Sequence, residues 1–192
     1  MKLKIYRIIF ILLIIAVIVT IGLIAIKYSN NYINDQENKK IVDVFSRSVE
    51  KEKITMNGYN VIGIVKIPKI EIEYPILDID TSNPEETKEP MKISIVRYWG
   101  GKVNEYGNLS IAGHNNYDGT MFGKTKRLEI GDIVELTDLD DKTIKYEIYD
   151  KFTTDPNDVT ILATKDENIR EVTLITCTNG NKERLILKAK EI

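Results

Sequence analysis

The sequence predicts an all-β domain, closed or sandwiched, held behind a single N-terminal transmembrane helix. Three observations carry that reading. Seven or eight short segments, β-branched and partly alternating, follow one another from Val61 onward with turns between them and little helical periodicity. A long apolar run precedes them near the N-terminus. The chain holds one cysteine, so no internal disulfide staples it, yet roughly 135 residues are enough to bury a core without one.

The N-terminal run comes first. Ile8 to Ile26 is apolar apart from Thr20 and Gly22. As a helix it is about 28 Å long, close to the hydrocarbon thickness of a bilayer. Lys2, Lys4 and Arg7 precede it and only Lys27 follows closely, so the positive-inside rule keeps the N-terminus in the cytoplasm and the rest outside. A cleaved signal peptide is the competing reading. The run is longer than a typical h-region, and no small-residue cleavage site follows it. With no second apolar run near the C-terminus, a single span is expected.

Residues 28–57 are rich in Asn, Lys and Glu. Ile41, Val42, Phe45 and Val49 recur there at helical spacing, which predicts a short amphipathic helix that acts as a stalk or packs on the domain. Asn57-Gly58 is a turn signal and the expected domain start. The organisation is therefore 1–27 tip and anchor, 28–57 stalk, 58–192 domain.

Strands are expected at Val61–Ile67 and Ile70–Leu77, parted by the Pro68-Lys69 turn, then at Lys92–Arg97, Asn108–Ala112, Ile133–Thr137, Thr143–Tyr149, Arg170–Cys177 and Arg184–Lys190. Thr81–Pro90 reads as a loop or short helix. Single helical turns are expected within Met121–Leu128 and Asp158–Ala163. Asp138 to Lys142 lacks the spacing of a calcium loop and reads as a hairpin turn. The net charge of -2, with no basic patch, gives no reason to expect nucleic acid as a partner. Lysine and glutamate alternate along much of the chain, as on a solvated surface.

The chemistry gathers in the last hairpin. An unpaired cysteine outside the cytoplasm is open to oxidation, so Cys177 is either buried and inert or put to use as a thiolate. Two alternating runs flank Asn179-Gly180. A four-residue loop, Asn179 to Lys182, sets Cys177 opposite Arg184. A two-residue loop pairs Cys177 with Lys182 instead. In both cases Cys177 and Arg184 share one face, and Val172, Leu174, Leu185, Leu187 and Ala189 form the other, apolar one. A three-residue loop with a bulge would break that parity. A guanidinium beside the thiol can stabilise a thiolate or the oxyanion of an acyl transfer; the plainer alternative is a surface arginine.

The one histidine, His114, follows the short strand that ends at Gly113, a position where catalytic side chains often stand on a rigid scaffold. Gly113 permits a bend that aims the ring. A lone His is more often structural. Paired with the one Cys, it points to acyl transfer through a thioester, with Cys177 attacking and His114 giving its proton to the leaving amine.

These segments resemble the sortase family of Gram-positive cell-surface transpeptidases. Thr173-Leu174-Ile175-Thr176-Cys177 looks like the TLxTC signature. Arg184 stands where the family's arginine follows on the next strand, and Ile111-Ala112-Gly113-His114 resembles the segment that carries its histidine. Gly63 to Ile70, Tyr74-Pro75-Ile76 and Gly131-Asp132-Ile133-Val134 are similar to further family steps, in order, so that the resemblance covers roughly Gly58 to Ile192. It implies an eight-stranded β-barrel with short helices behind the anchor. It also implies cleavage of an LPxTG-like sorting signal between Thr and Gly, and transfer of the surface protein to an amine, usually on a peptidoglycan precursor. On this resemblance Cys177 is the nucleophile, His114 the general acid and base, and Arg184 the orienting, oxyanion-stabilising group. Thr176 is expected near the oxyanion site. No metal and no cofactor are expected. The absence of a C-terminal apolar span and the short interval between His114 and Cys177 fit a class A- or D-like member. Phe152 to Ile169 is the segment expected to shape recognition of the signal.

Rival readings remain. A thiol hydrolase would use water in place of the amine. An L,D-transpeptidase-like enzyme would show His close before Cys in an SHGCxR-type signature, which is absent. A tethered β-domain that binds a surface peptide would keep its function after Cys177→Ala.

Overall fold

The β-branched segments pair into one sheet that closes on itself. The computed structural model describes residues 2–79, 84–164 and 166–192. Along the chain run α1 (Lys2–Arg47), β1 (Thr55–Met56), β2 (Tyr59–Ile67), β3 (Ile72–Leu77), α2 (Lys88–Met91), β4 (Ile95–Trp99), β5 (Gly107–Ala112), β6 (Ile133–Thr137), β7 (Thr143–Thr154), β8 (Arg170–Thr178) and β9 (Glu183–Glu191). The strand order is β1-β2-β3-β4-β5-β8-β9-β7-β6. β6 returns to pair with β2 through Ile64–Thr137, Val65–Leu136 and Lys66–Glu135, which closes a barrel of β2 to β9. Gly63 permits that closure, because a Cβ there would stand 2.6 Å from the Thr137 carbonyl oxygen. β1 is a short arm outside the barrel, paired only with β2.

All eight expected strands are present, with ends shifted by a few residues. β7 runs on to Thr154, so Phe152 lies in a strand rather than in the connection after it. The Asp138 turn forms as expected, the Asp138 carboxylate accepting from the Asp140 and Lys142 backbone N–H groups. Of the expected loop or short helix over Thr81–Pro90, positions 81–83 lie outside the described residues; from Pro84 the chain forms a 3-10 turn that runs into α2. The single turns expected near 121–128 and 158–163 appear as 3-10 turns at Thr125–Arg127 and Thr160–Leu162.

The chain divides into two compact units, one up to Gln36 and one from Glu37 to Ile192. In the first, the side chains from Ile8 to Ile26 are exposed. Among the described residues, α1 is the one helix long and apolar enough to cross a membrane.

The second unit begins well before Gly58, because the end of α1 carries apolar side chains onto the outside of the barrel. Phe45 is 1% exposed, with Ile41 and Val42 packed in the same cluster. Val49 departs from the expected stripe: the helix ends at Arg47, so the spacing no longer turns Val49 inward, and it is 98% exposed. The buried Lys51 ammonium then closes the segment down, bonding Asp141 at 2.7 Å and the Ser48 carbonyl at 2.7 Å above the Phe45 ring.

The barrel therefore has two apolar layers. Val65, Ile67, Leu109, Ile111, Val172, Leu174, Leu185, Leu187 and others fill the interior. Ile64, Leu77, Val96, Ala112, Ile175 and Ile186 belong to a second cluster with Phe45, Ile54, Met56 and Ile161. Consecutive residues of β8 and β9 alternate between the two layers, as the period of a strand requires.

Candidate active site

The register of the last hairpin decides where the thiol goes. β8 and β9 pair antiparallel with Ile175 opposite Ile186, Cys177 opposite Arg184 and Thr178 opposite Glu183. Of the three loop lengths left open by the sequence, the four-residue one forms. Asn179, Gly180 and Asn181 take φ of 47°, 61° and 70°, left-handed values that Asn and Gly tolerate, and the Lys182 N–H bonds the Asn179 carbonyl. Cys177 and Arg184 are both half-buried. They stand at the end of the outer layer, two residues beyond Ile175 and before Ile186. The thiol is thus on the outer face, and that face is itself buried for most of its length.

β5 lies parallel to β8, with Ala112 opposite Ile175. The two strands run the same way in this register, so a residue just past the end of β5 arrives level with the residues just past Ile175. That residue is His114, half-buried. The Gly113 N–H continues the ladder to the Ile175 carbonyl at 3.2 Å. The φ of Gly113 is not in the left-handed region; glycine is needed here for space, since a Cβ would meet the Phe122 ring at 3.0 Å and Ile95 at 3.2 Å.

Past that point the backbone ladder stops and side chains take over. Thr176, 3% exposed, donates its hydroxyl to the Gly113 carbonyl at 2.7 Å. Its hydroxyl proton is therefore committed to the segment that leads into His114. The Asn115 carboxamide donates to the Cys177 carbonyl at 2.9 Å. The His114 carbonyl accepts from the Phe122 N–H at 3.0 Å. Asn115 was not among the candidates read from the sequence. No signal marks it other than its place after His114, because its partner is 62 residues away.

On the far side of Arg184 the row continues into β7, where Thr154 is its cross-strand partner. The Thr154 hydroxyl bonds Asp158 at 2.6 Å, and Asp158 also accepts from the Thr160 hydroxyl and N–H. The bonds from Thr154 and Thr160 hold the Asp158 carboxyl below its ordinary value. They start the 155–169 connection beside the thiol row. Asn108 then straps the connection to the outer face of β5, its amide donating to the Ile161 and Leu162 carbonyls while its oxygen accepts from Thr173.

The structure brings Cys177, Arg184, Thr176 and the start of the His114 loop to one end of the barrel. A thiol, an imidazole and a fixed cation there are the groups that an acyl transfer uses: a nucleophile, a proton carrier and a stabiliser for an oxyanion. The Arg184 Nη1 lies 3.4 Å from the carbonyls of Asn181 and Glu183 at the hairpin tip.

A family model for the sortase domain matches residues 65–192. Sortase A of Staphylococcus aureus is 23% identical over 93% of this chain and 90% of its own length. Among solved structures, a Clostridium perfringens sortase D5 transpeptidase is 29% identical with a TM-score of 0.66, covering 83% of this chain and 98% of that one. A Clostridium perfringens sortase C, solved with the C-terminal cell wall sorting motif, shares the fold at 21% identity and a TM-score of 0.57, over 86% of this chain and 89% of that one.

Proposed function

The chain belongs to the sortase family, and from that premise we propose that it is a membrane-anchored cysteine transpeptidase acting on an LPxTG-like sorting signal. It cuts the signal between Thr and Gly and passes the surface protein to an amine of the cell wall. The observation that carries this reading is the Cys177–Arg184 cross-strand pair beside the end of the strand leading into His114.

In the first half-reaction the Cys177 thiol gives its proton to His114, and the thiolate attacks the carbonyl carbon of the signal's Thr. The oxyanion that forms faces the Arg184 guanidinium, whose planar donors suit a carbonyl oxygen better than a point charge would. The C–N bond to Gly breaks, the leaving amine takes its proton from His114, and a thioester remains on Cys177. In the second, an acceptor amine, such as that of a peptidoglycan precursor, gives a proton to His114 as it attacks the thioester. The new amide forms and Cys177 leaves as the thiolate beside the reprotonated imidazole. The charge pattern around Ile8–Ile26 supports a cytoplasmic N-terminus and a catalytic unit outside the cell. The likeness to the clostridial D5 enzyme favours the class D side of the class A- or D-like reading.

The test uses the full chain in detergent, incubated with LPxTG-like peptides with and without amines and followed by mass spectrometry. A thioester on Cys177, cleavage after Thr and an amine-dependent ligation product are expected. Cleavage without ligation would make it a thiol hydrolase. A folded, reduced protein that forms no adduct across the peptide set would leave a peptide-binding domain as the reading.

A further inference from the structure

We infer that Asn115 is a positioning residue for the reaction, its side-chain amide fixing the His114 loop against the backbone of the nucleophile. The inference rests on the transpeptidase reading and deepens it.

The argument begins where β5 ends. Up to Gly113, backbone hydrogen bonds to β8 set the spacing between the two strands. His114 lies beyond that ladder, and a residue past a strand end would ordinarily inherit the slack of a loop. Here the peptide on each side of His114 is tied to β8 by a side chain. Before it, the Thr176 hydroxyl holds the Gly113 carbonyl. After it, the Asn115 amide holds the Cys177 carbonyl. The two residues of β8 that make these ties are the nucleophile and its immediate neighbour. The imidazole-bearing residue is thus clamped between two bonds that end on positions 176 and 177.

The chemistry of the second tie is unambiguous. A carbonyl oxygen can only accept, so the group facing it must be the NH2 of the carboxamide. An aspartate of the same size would turn an oxygen toward an oxygen. Asn115 has a second constraint, a bridge to Met121, which closes the loop behind it. The loop is therefore held from both sides, and the amide is the bond that reaches the catalytic strand. Proton transfer between the thiol, the leaving amine and the imidazole depends on separations that tolerate little error. A displacement near 1 Å can cost on the order of a hundredfold in rate.

The experiment compares the full-length wild type with Asn115→Ala, Asn115→Asp and His114→Ala. Two readouts are taken: steady-state ligation of an LPxTG-like peptide to an amine, and the rate of Cys177 alkylation by iodoacetamide against pH. Both Asn115 variants should lose about ten- to a hundredfold in kcat with KM changed by less than about twofold. Their alkylation profiles should move from that of wild type toward that of His114→Ala. The aspartate variant keeps the volume of the side chain, replaces the donor with an acceptor and adds a negative charge. It stands in if the alanine variant fails to fold. Near-wild-type kcat and an unmoved alkylation profile in the aspartate variant would overturn the inference, because packing and not the hydrogen bond would then be what matters. If wild type itself neither ligates nor forms a thioester, and His114→Ala alkylates as wild type does, the transpeptidase reading fails instead.

Discussion

The two faces of the β8–β9 hairpin are buried to a similar degree and do different work. The inner face, Val172, Leu174, Leu185, Leu187 and Ala189, fills the barrel and nothing else. The outer face carries Ile175 and Ile186 into a second core beneath Phe45 and Ile161, and then, where that cover stops, presents Cys177 and Arg184 half-exposed. The difference teaches that burial alone does not separate structural residues from reactive ones in this fold. Position along a face does. Register makes that separation sharp, since a slip of one residue would turn the thiol into the barrel interior and the leucines to the outer layer.

The comparison can be broken most forcefully at its reactive end. On the proposed mechanism, Cys177→Ala removes the atom that holds the acyl group. Ligation of a sorting peptide should fall by about four orders of magnitude or more, while thermal unfolding stays within a few degrees of wild type. Retained ligation would put the chemistry elsewhere. The outer core is tested next. Phe45→Ala should lower stability by about 3–5 kcal/mol in urea unfolding, as for an interior aromatic. A change below about 1 kcal/mol would mean that the helix merely lies on the barrel.

Arg184→Lys sharpens the contrast between charge and shape. The charge persists and the planar fork is lost, so kcat should drop on the order of a hundredfold with unfolding unchanged. Near-normal turnover would argue that a point charge is enough.

The smallest effect lies at the other end of the same hairpin. There Arg170 holds the Glu191 carboxylate by a 2.8 Å bond, and that bond lowers the Glu191 pKa below its ordinary 4.5. A depressed carboxyl stabilises the fold above its unfolded-state value, and the contribution is lost as pH falls through the folded-state value. Glu191→Gln should thus be slightly less stable than wild type near pH ~7, with the gap closing below pH ~4 in urea titrations. A gap that persists in acid would mean that the bond acts through geometry and not charge.

Much of this was legible from residue patterns. The barrel strands show because β-branched residues alternate between turns, and the thiol and guanidinium share a face because a hairpin has a period of two. Other features were hidden for physical reasons. β1 is too short for any periodicity to register. The second core was not anticipated, although runs such as Val61–Ile67 are nearly continuous in apolar residues, as befits strands covered on both sides. Phe45 was visible as part of a helical stripe, but the stripe ran past the helix end and took in Val49. Asn115 could not be read at all, since its role depends on two parallel strands meeting across most of the domain.

That parallel meeting also bears on how the molecule comes into being. β5 and β8 join residues 63 apart, as Gly107 meets Arg170 and Ala112 meets Ile175. Contacts so distant in sequence are closed late and slowly, after local hairpins have formed. The imidazole belongs to residue 114, and the thiol and guanidinium follow it by 63 and 70 residues. A nascent chain emerging from its N-terminus therefore has no assembled site until the residues of β8 and β9 are free to pair. On the proposed assignment the three groups meet only when β8 and β9 have joined the sheet, so catalytic competence and completion of the barrel become a single event.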